Sequence, residues 1–222
     1  GCKKRKPDFM APSMRRLPVL FAALLPAACG AALDPAVWTF DTGGTVFGTP
    51  GLSGNRTLYL PVEVGSSTTG DISGRIIALD LTGTTAVEKW SYSAADWIDS
   101  PPAVGEDGTV YAASWDGEIV ALDPENGTEK WVYDTRALII ASPALGPDGA
   151  VHVPAYDGFL YAVNPDGSLK WEAFIGAEVD SSPAVDLDGH LDLGSYEGGL
   201  IALHRVEDVL CRFAVDSVDG LS

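Results

Sequence analysis

The sequence predicts an all-β protein, a β-propeller of four-stranded blades of which about four are present. Four tryptophans are each followed by a proline 12 residues later, in the pairs Trp38/Pro50, Trp90/Pro102, Trp131/Pro143 and Trp171/Pro183. Asp-Gly pairs separate short alternating apolar runs, and no window after residue 40 shows sustained helical periodicity. A repeat of about 41 residues with four strands per unit is typical of a propeller blade.

Each copy supplies its four strands in the same order. The first strand follows the proline, and Asp-Gly pairs predict the two tight turns on either side of the second strand, because such turns need positive φ. These pairs are Asp107-Gly108, Asp148-Gly149 and Asp188-Gly189 for the first turn, and Asp116-Gly117 and Asp157-Gly158 for the second. The fourth strand begins near the tryptophan. The first copy departs from this pattern, because ten extra residues from Gly65 to Gly74 predict a surface insertion.

The charge of the chain argues against nucleic acid as a partner. The 222 residues include 14 basic and 31 acidic side chains, which give a net charge of −17. Binding of a phosphate backbone requires a basic surface, so this balance excludes a typical DNA- or RNA-binding protein. Six of the basic residues lie within residues 1–28, so the rest of the chain is still more acidic.

The N-terminal region has the pattern of an export signal. Arg15 and Arg16 precede a 12-residue apolar stretch that is too short to span a bilayer. The predicted organisation is an upstream tail that need not be native (1–13), a signal peptide (14–28), a linker (29–37) and propeller blades (38–222) with a degenerate end from about residue 204.

Cys29 directly follows the apolar stretch and resembles the lipidated cysteine of a bacterial lipobox. Pro26 departs from the leucine that is usual three positions before that cysteine, so cleavage without a lipid near residues 30–32 stays open. With lipidation, the resemblance implies an outer-membrane lipoprotein that faces the periplasm or the cell surface. Without lipidation, the protein is periplasmic or secreted. Membrane contact is expected only through a lipid anchor.

The segment from Ala121 to Trp131 is similar to A-x-D-x-x-T-G-x-x-x-W, the tryptophan-docking motif of the quinoprotein-type, or PQQ-like, β-propeller repeat family. Asn126 stands where the motif has threonine, and the other motif positions match. The resemblance covers residues 38 to about 203 and implies a ring of seven or eight blades, of which this chain holds a part. An open blade edge also permits self-association. The residues expected to dock neighbouring blades are Trp38, Trp90, Ala121, Asp123, Gly127, Trp131 and Trp171.

The family contains enzymes and non-enzymatic relatives, and the sequence favours a non-enzymatic role. Quinoprotein catalysis implies bound PQQ, calcium, an aspartate base and often a vicinal cysteine pair. This chain has no vicinal cysteines and no cluster of arginines or lysines that would hold the carboxylates of PQQ. We therefore predict no catalytic residue and no cofactor. The chain resembles the outer-membrane assembly propeller lipoproteins of Gram-negative bacteria, which implies an exported scaffold that presents blade loops to an envelope protein. The alternative is a fragment of a periplasmic PQQ-dependent dehydrogenase, with PQQ and calcium.

Two sets of acidic residues are candidate binding sites. Asp186, Asp188 and Asp192 place three carboxylates within seven residues, and calcium takes oxygen ligands of this kind. The same positions are ordinary hairpin turns in the other copies, so a turn is the favoured interpretation. Asp99 and Asp180 each lie three residues before a blade proline, near one mouth of the predicted channel. They are either solvated loop residues or ligands of a cation or basic peptide. A surface module that binds a cation or a sugar is thus a further alternative function.

Overall fold

The computed structural model describes the residues 38–66, 70–176, 179–194, 199–206 and 209–215. The chain divides into two units, Gly1–Asp41 and Thr42–Ser222, and all the strands lie in the second. Outside the described residues lie the predicted tail (1–13), the signal peptide (14–28), the linker (29–37) and Cys29. The described ranges contain no helix of the length and apolar character needed to cross a membrane.

Sixteen strands in the described part of the chain form four antiparallel sheets, each with four strands in chain order. Blade 1 holds β1 (Gly51–Leu52), β2 (Thr57–Ser66), β3 (Asp71–Asp80) and β4 (Val87–Ala94). Blade 2 holds β5 (Ala103–Val104), β6 (Val110–Ala113), β7 (Glu118–Leu122) and β8 (Glu129–Asp134). Blade 3 holds β9 (Ala144–Leu145), β10 (Val151–Pro154), β11 (Phe159–Val163) and β12 (Leu169–Phe174). Blade 4 holds β13 (Ala184–Val185), β14 (Leu191–Gly194), β15 (Leu200–Val206) and β16 (Val209–Val215).

These sheets confirm the prediction of an all-β fold with about four propeller blades. The first strands of neighbouring blades contact each other, β1 with β5 and β9 with β13. The short first strands therefore lie at the inner edge of the arrangement and the fourth strands at its outer edge, as in a propeller.

The Asp-Gly turns form through local hydrogen bonds. Gly108, which follows β5, adopts a φ of 86°, a conformation that costs glycine little. The carboxylate of Asp107 accepts a hydrogen bond from the backbone N–H of Thr109 at 3.0 Å. Asp148 accepts in the same way from the N–H of Ala150 at 3.1 Å. A side chain that bonds the backbone two residues further on stabilises the turn without help from the rest of the fold.

The insertion in the first copy lengthens a hairpin instead of forming a separate loop. Strands β6 and β7 of blade 2 stop pairing at Ala113 and Ile119, which correspond to Pro61 and Ile76 of blade 1. In blade 1 the ladder continues without a break from that pair to Ser66 opposite Asp71. The extra residues therefore extend β2 and β3 beyond the rim that the other blades reach.

The apolar core lies between neighbouring sheets. Each of three clusters combines residues of two consecutive blades; Ile76 and Trp90 of blade 1, for example, pack with Val120 and Leu122 of blade 2. The third strands are covered on both faces and therefore read as continuous apolar runs without alternation. This packing uses the sheet faces and leaves the loops at the rims for contact with other molecules.

Candidate functional site

One tryptophan joins blade 1 to blade 2, and an equivalent tryptophan joins blade 2 to blade 3. Trp90 Nε1 donates a hydrogen bond to the carbonyl of Pro124 at 2.9 Å, and Trp131 Nε1 donates to the carbonyl of Pro165 at 2.8 Å. The acceptors lie in the segment between the third and fourth strands of the next blade, which we call the docking turn. It comprises residues 123–128 in blade 2 and residues 164–168 in blade 3.

A glycine in each docking turn lets the indole ring approach the backbone. A Cβ atom on Gly127 would lie 2.5 Å from Cε3 of Trp90, and one on Gly167 would lie 2.7 Å from Cγ of Trp131. Real Cβ atoms do not approach other atoms so closely, so only glycine fits at either place. The glycine and the proline carbonyl together form the surface on which the indole ring lies.

The other residues of the motif shape this contact. Ala121 is buried and pairs with Trp131 across the sheet of blade 2. The Asp123 carboxylate accepts a hydrogen bond from the N–H of Glu125 at 2.8 Å and so orders the docking turn. Asn126, which replaces the usual threonine, accepts bonds from both the N–H and the hydroxyl of Thr128.

Trp38 and Trp171 differ from these two tryptophans. Trp38 is half-buried and belongs to the first unit of the chain. Trp171 packs against His152 with ring centroids 5.4 Å apart. Within the described ranges its indole N–H donates no hydrogen bond. In blade 4 the strand position of Trp171 is held by Phe213, which pairs with Ala202 as Trp171 pairs with Ala162.

Asp99 lies in the connection between blades 1 and 2, next to two tryptophans. Its Oδ1 atom accepts a hydrogen bond from Trp115 Nε1 at 2.9 Å, and the ring of Trp97 meets that of Trp115 edge-on at 5.1 Å. Asp99 is half-buried, and burial raises the pKa of its carboxyl although the Trp115 bond opposes this. With Glu63, these residues form what we call the Asp99 cluster.

Glu63 supplies a second half-buried carboxylate to this cluster. It lies four residues after Tyr59, just as Trp115 lies four residues after the equivalent Tyr111 of blade 2. Backbone bonds in both directions to Thr45 hold it in place. Burial, with a smaller contribution from the charge of Asp99, raises the pKa of Glu63 to about 7. Two carboxylates beside aromatic rings attract a cationic side chain.

Sequence reasoning found Asp99 but missed Glu63, Trp97 and Trp115. The available signal was the tryptophan in the Trp-Asp-Gly turn of the second copy, where the third and fourth copies have tyrosine. Nothing in the sequence indicated Glu63. The extra residues of the first copy obscure the alignment in which Glu63 and Trp115 occupy the same repeat position.

Asp180 is separate from the Asp99 cluster. It is exposed in the connection before blade 4, whereas Asp99 is half-buried before blade 2. Among the described residues, no hydrogen bond or ion pair joins these two aspartates. The two aspartates thus precede different blades and differ in burial, and the charge of Asp180 does not contribute to the pKa shift of Asp99.

The acidic turn of blade 4 brings together Asp186, Asp188 and His190, with ligand atoms within 4.8 Å of one another. This described group contains His190 in place of the predicted Asp192, which lies on β14 opposite Ala202. Asp186 already accepts backbone bonds from Asp188 and His190, and it bonds the His190 ring at 2.7 Å. These bonds, that from the His190 backbone foremost, lower the pKa of Asp186. They account for the cluster as a turn, in line with the favoured interpretation.

The lysines next to the blade tryptophans do not form a site for the carboxylates of PQQ. Each lysine next to a blade tryptophan already faces an acid. Lys89 lies 3.6 Å from Glu125, Lys130 lies 3.6 Å from Asp107, and Lys170 pairs with Asp148. Arg75 donates to the carbonyl of Thr42 at 2.6 Å. Lys89, Lys130 and Lys170 lie on three different blades, so these three lysines form no common cradle for such a cofactor.

Comparison with known proteins places these blades in a family. A family model described as outer membrane protein assembly factor BamB matches residues 28–210. The crystal structure of BamB from Moraxella catarrhalis is similar, with 24% sequence identity and a TM-score of 0.59 over 75% of this chain and 49% of that one. At this identity the likeness shows the fold alone, and the chain spans about half the length of that structure. No curated protein matches the chain.

Proposed function

The chain belongs to the family of outer membrane protein assembly factor BamB, and we propose that it is an exported, non-enzymatic scaffold of the bacterial cell envelope. Its loops bind a protein of the outer-membrane assembly machinery. The name of the family supports a role in outer-membrane protein assembly, and the signal-like residues 14–28 support export. Lipidation of Cys29 would anchor the scaffold to the outer membrane.

The Asp99 cluster is the observation that carries a binding role. Blade-to-blade packing uses the apolar faces of the sheets, while this cluster places two carboxylates and two indole rings on the rim. Aromatic residues are enriched at protein interfaces, and carboxylates beside them favour a partner with a cationic group. The net charge of −17 favours a basic partner surface and speeds its encounter with this rim.

The partner chemistry follows from the charges in the cluster. A lysine or arginine side chain that enters between Glu63 and Asp99 would lower the free energy of both carboxylates in their ionised form. The edge of Trp97 and the ring of Trp115 would cover its aliphatic part. We therefore propose a basic segment of an envelope protein as the bound element.

Site-specific photo-crosslinking in envelopes of a Gram-negative host tests this proposal. A benzophenone side chain at exposed Ala95, beside the cluster, should crosslink to a protein of the outer-membrane assembly machinery. The same group at exposed Val132, on the outer strand of blade 2, should not. Asp99→Asn keeps the acceptor for Trp115 but removes the charge, so it should lower the Ala95 crosslink about tenfold. Equal yields from the two positions would contradict the proposed surface.

The matched control for the charge is Glu106→Gln, in the exposed turn of blade 2 away from the cluster. It removes one negative charge as Asp99→Asn does, so it should leave the crosslink unchanged. If both variants reduce the yield equally, net charge rather than the cluster would account for binding.

A separate measurement tests the non-enzymatic part of the proposal. The purified chain is titrated with PQQ and calcium, followed by absorbance and by dye-linked alcohol oxidation. We expect no saturable change and no turnover, because Lys89, Lys130 and Lys170 lie on separate blades and are each engaged with an acid. Saturable binding with turnover would instead support a dehydrogenase fragment.

A further inference from the structure

A crevice of about 140 Å³ opens between blades 3 and 4. Blade 3 lines it with Pro147, His152 and Trp171, and blade 4 lines it with Gly189 and Leu191. The ion pair of Lys170 and Asp148 also faces it. The two earlier blade junctions have a docking turn at the corresponding place, so the internal repeats show what such a space accommodates.

In blade 2 the docking turn lies between two surfaces. On one side Gly127 faces the ring of Trp90, and on the other the ring of Pro124 lies against Gly108, where a Cβ atom would be 3.4 Å away. Blade 3 repeats the arrangement with Gly167 on Trp131 and with Pro165 against Gly149. The turn is thus held between a tryptophan of the preceding blade and a turn glycine of its own blade.

The junction of blades 3 and 4 also has a tryptophan and a turn glycine at these places. The fourth copy, however, has no docking turn in its sequence. Trp171 corresponds to Trp90 and Trp131, and Gly189 corresponds to Gly108 and Gly149. The connection after β15 reads His-Arg-Val-Glu-Asp-Val-Leu from residue 204, without proline or glycine. The ladder of β15 and β16 instead continues to the pair Val206 and Val209.

Two polar groups that line this crevice have no hydrogen-bond partner among the described residues. The indole N–H of Trp171 donates no hydrogen bond to any described residue, whereas both of its equivalents donate to a proline carbonyl. The His152 side chain is only 6% exposed, and its Nδ1 atom has no hydrogen-bond partner. Buried polar groups normally find partners, so the Nδ1 atom of His152 points to a ligand with a hydrogen-bonding group. The half-buried Trp171 offers that ligand a second donor at the same crevice.

We propose that the crevice binds an Asp-Pro-x-x-Gly or Asn-Pro-x-Gly turn of a partner protein, in the manner of the chain's own docking turns. The proline carbonyl accepts the hydrogen bond from Trp171, the glycine lies flat on the indole ring, and the proline ring packs against Gly189 and Leu191. This surface differs from the Asp99 cluster, so either site can fail its test without the other.

The test uses a peptide copied from the docking turn of blade 3. The folded chain, labelled with ¹⁵N in its tryptophan indoles, is titrated with acetylated Val-Asn-Pro-Asp-Gly-Ser-Leu amide. We expect one indole N–H signal, the one missing from the spectrum of Trp171→Phe, to move downfield and saturate. A matched peptide with valine in place of glycine should bind at least about tenfold more weakly, because its side chain would collide with the indole ring.

Photo-crosslinking provides a second readout that does not depend on the Trp171→Phe variant folding. The peptide carries a photo-reactive leucine at its last position, and mass spectrometry locates the adducts on the unaltered chain. Adducts on residues 147–152 or 188–191 are expected. A Trp171 signal that does not move, equal binding of the two peptides, or adducts confined to other blades would overturn the proposal.

Discussion

Gly127→Ala is expected to lower the free energy of unfolding by about 2–4 kcal/mol. The residue has a φ of 72°, which disfavours any side chain, and the new Cβ atom would lie 2.5 Å from Cε3 of Trp90. The indole ring must then leave its place between blades 1 and 2, where Trp90 is 7% exposed. Urea unfolding followed by circular dichroism measures the loss.

Two other glycines separate the backbone effect from the collision. Gly70 has a φ of 78° but no described atom within 4 Å of a Cβ position, so Gly70→Ala should cost only about 1 kcal/mol. Gly54 has neither feature, and Gly54→Ala should change stability by less than about 0.5 kcal/mol. Equal losses in Gly127→Ala and Gly70→Ala would show that docking of Trp90 adds nothing.

Glu63→Gln is expected to stabilise the protein above neutral pH by about 1–3 kcal/mol and to flatten its pH dependence. Burial raises the pKa of Glu63 from 4.5 to about 7, so the folded state keeps a proton that the unfolded state has released. Stability from this residue is present below pH 4.5 and is lost as the pH rises to about 7. Glutamine resembles the protonated form and carries no such cost.

Urea unfolding at a series of pH values, for the parent chain and for each variant, measures this difference. Glu88→Gln is the control, because Glu88 is exposed on β4. Its curve should run parallel to that of the parent chain. If the free energy of unfolding of Glu63→Gln also changes with pH as it does in the parent chain, the carboxyl of Glu63 is not responsible for that pH dependence. Since the charge of Asp99 contributes to the raised pKa of Glu63, Asp99→Asn should lower that pKa. The pH range over which Glu63 reduces stability should then become narrower.

The repeat made most of the fold predictable from the sequence. The tryptophan-to-proline spacing and the Asp-Gly pairs act within about ten residues, where turn chemistry decides the structure. The extra residues from Gly65 to Gly74 were visible as an insertion, but their structure was not. Whether such a segment forms a loop or continues a hairpin depends on whether its two halves pair, and β2 and β3 do so up to Ser66 and Asp71.

The candidate site was less predictable because its contacts join different copies of the repeat. Asp99 was found from its place before Pro102, but its bond to Trp115 and its effect on Glu63 depend on how blades 1 and 2 pack. In the acidic turn of blade 4, spacing suggested Asp192. His190 precedes β14 and joins the turn, whereas Asp192 lies within that strand and pairs with Ala202.

By itself, then, the sequence determined the blade type, the order of the strands, the turns and the family, because these depend on short-range chemistry repeated along the chain. Only the tertiary structure decided which groups meet between blades. It placed Trp90 on Gly127, put Glu63 beside Asp99, and left the indole of Trp171 facing a crevice. Such contacts depend on the packing of one sheet on the next, which no single repeat encodes.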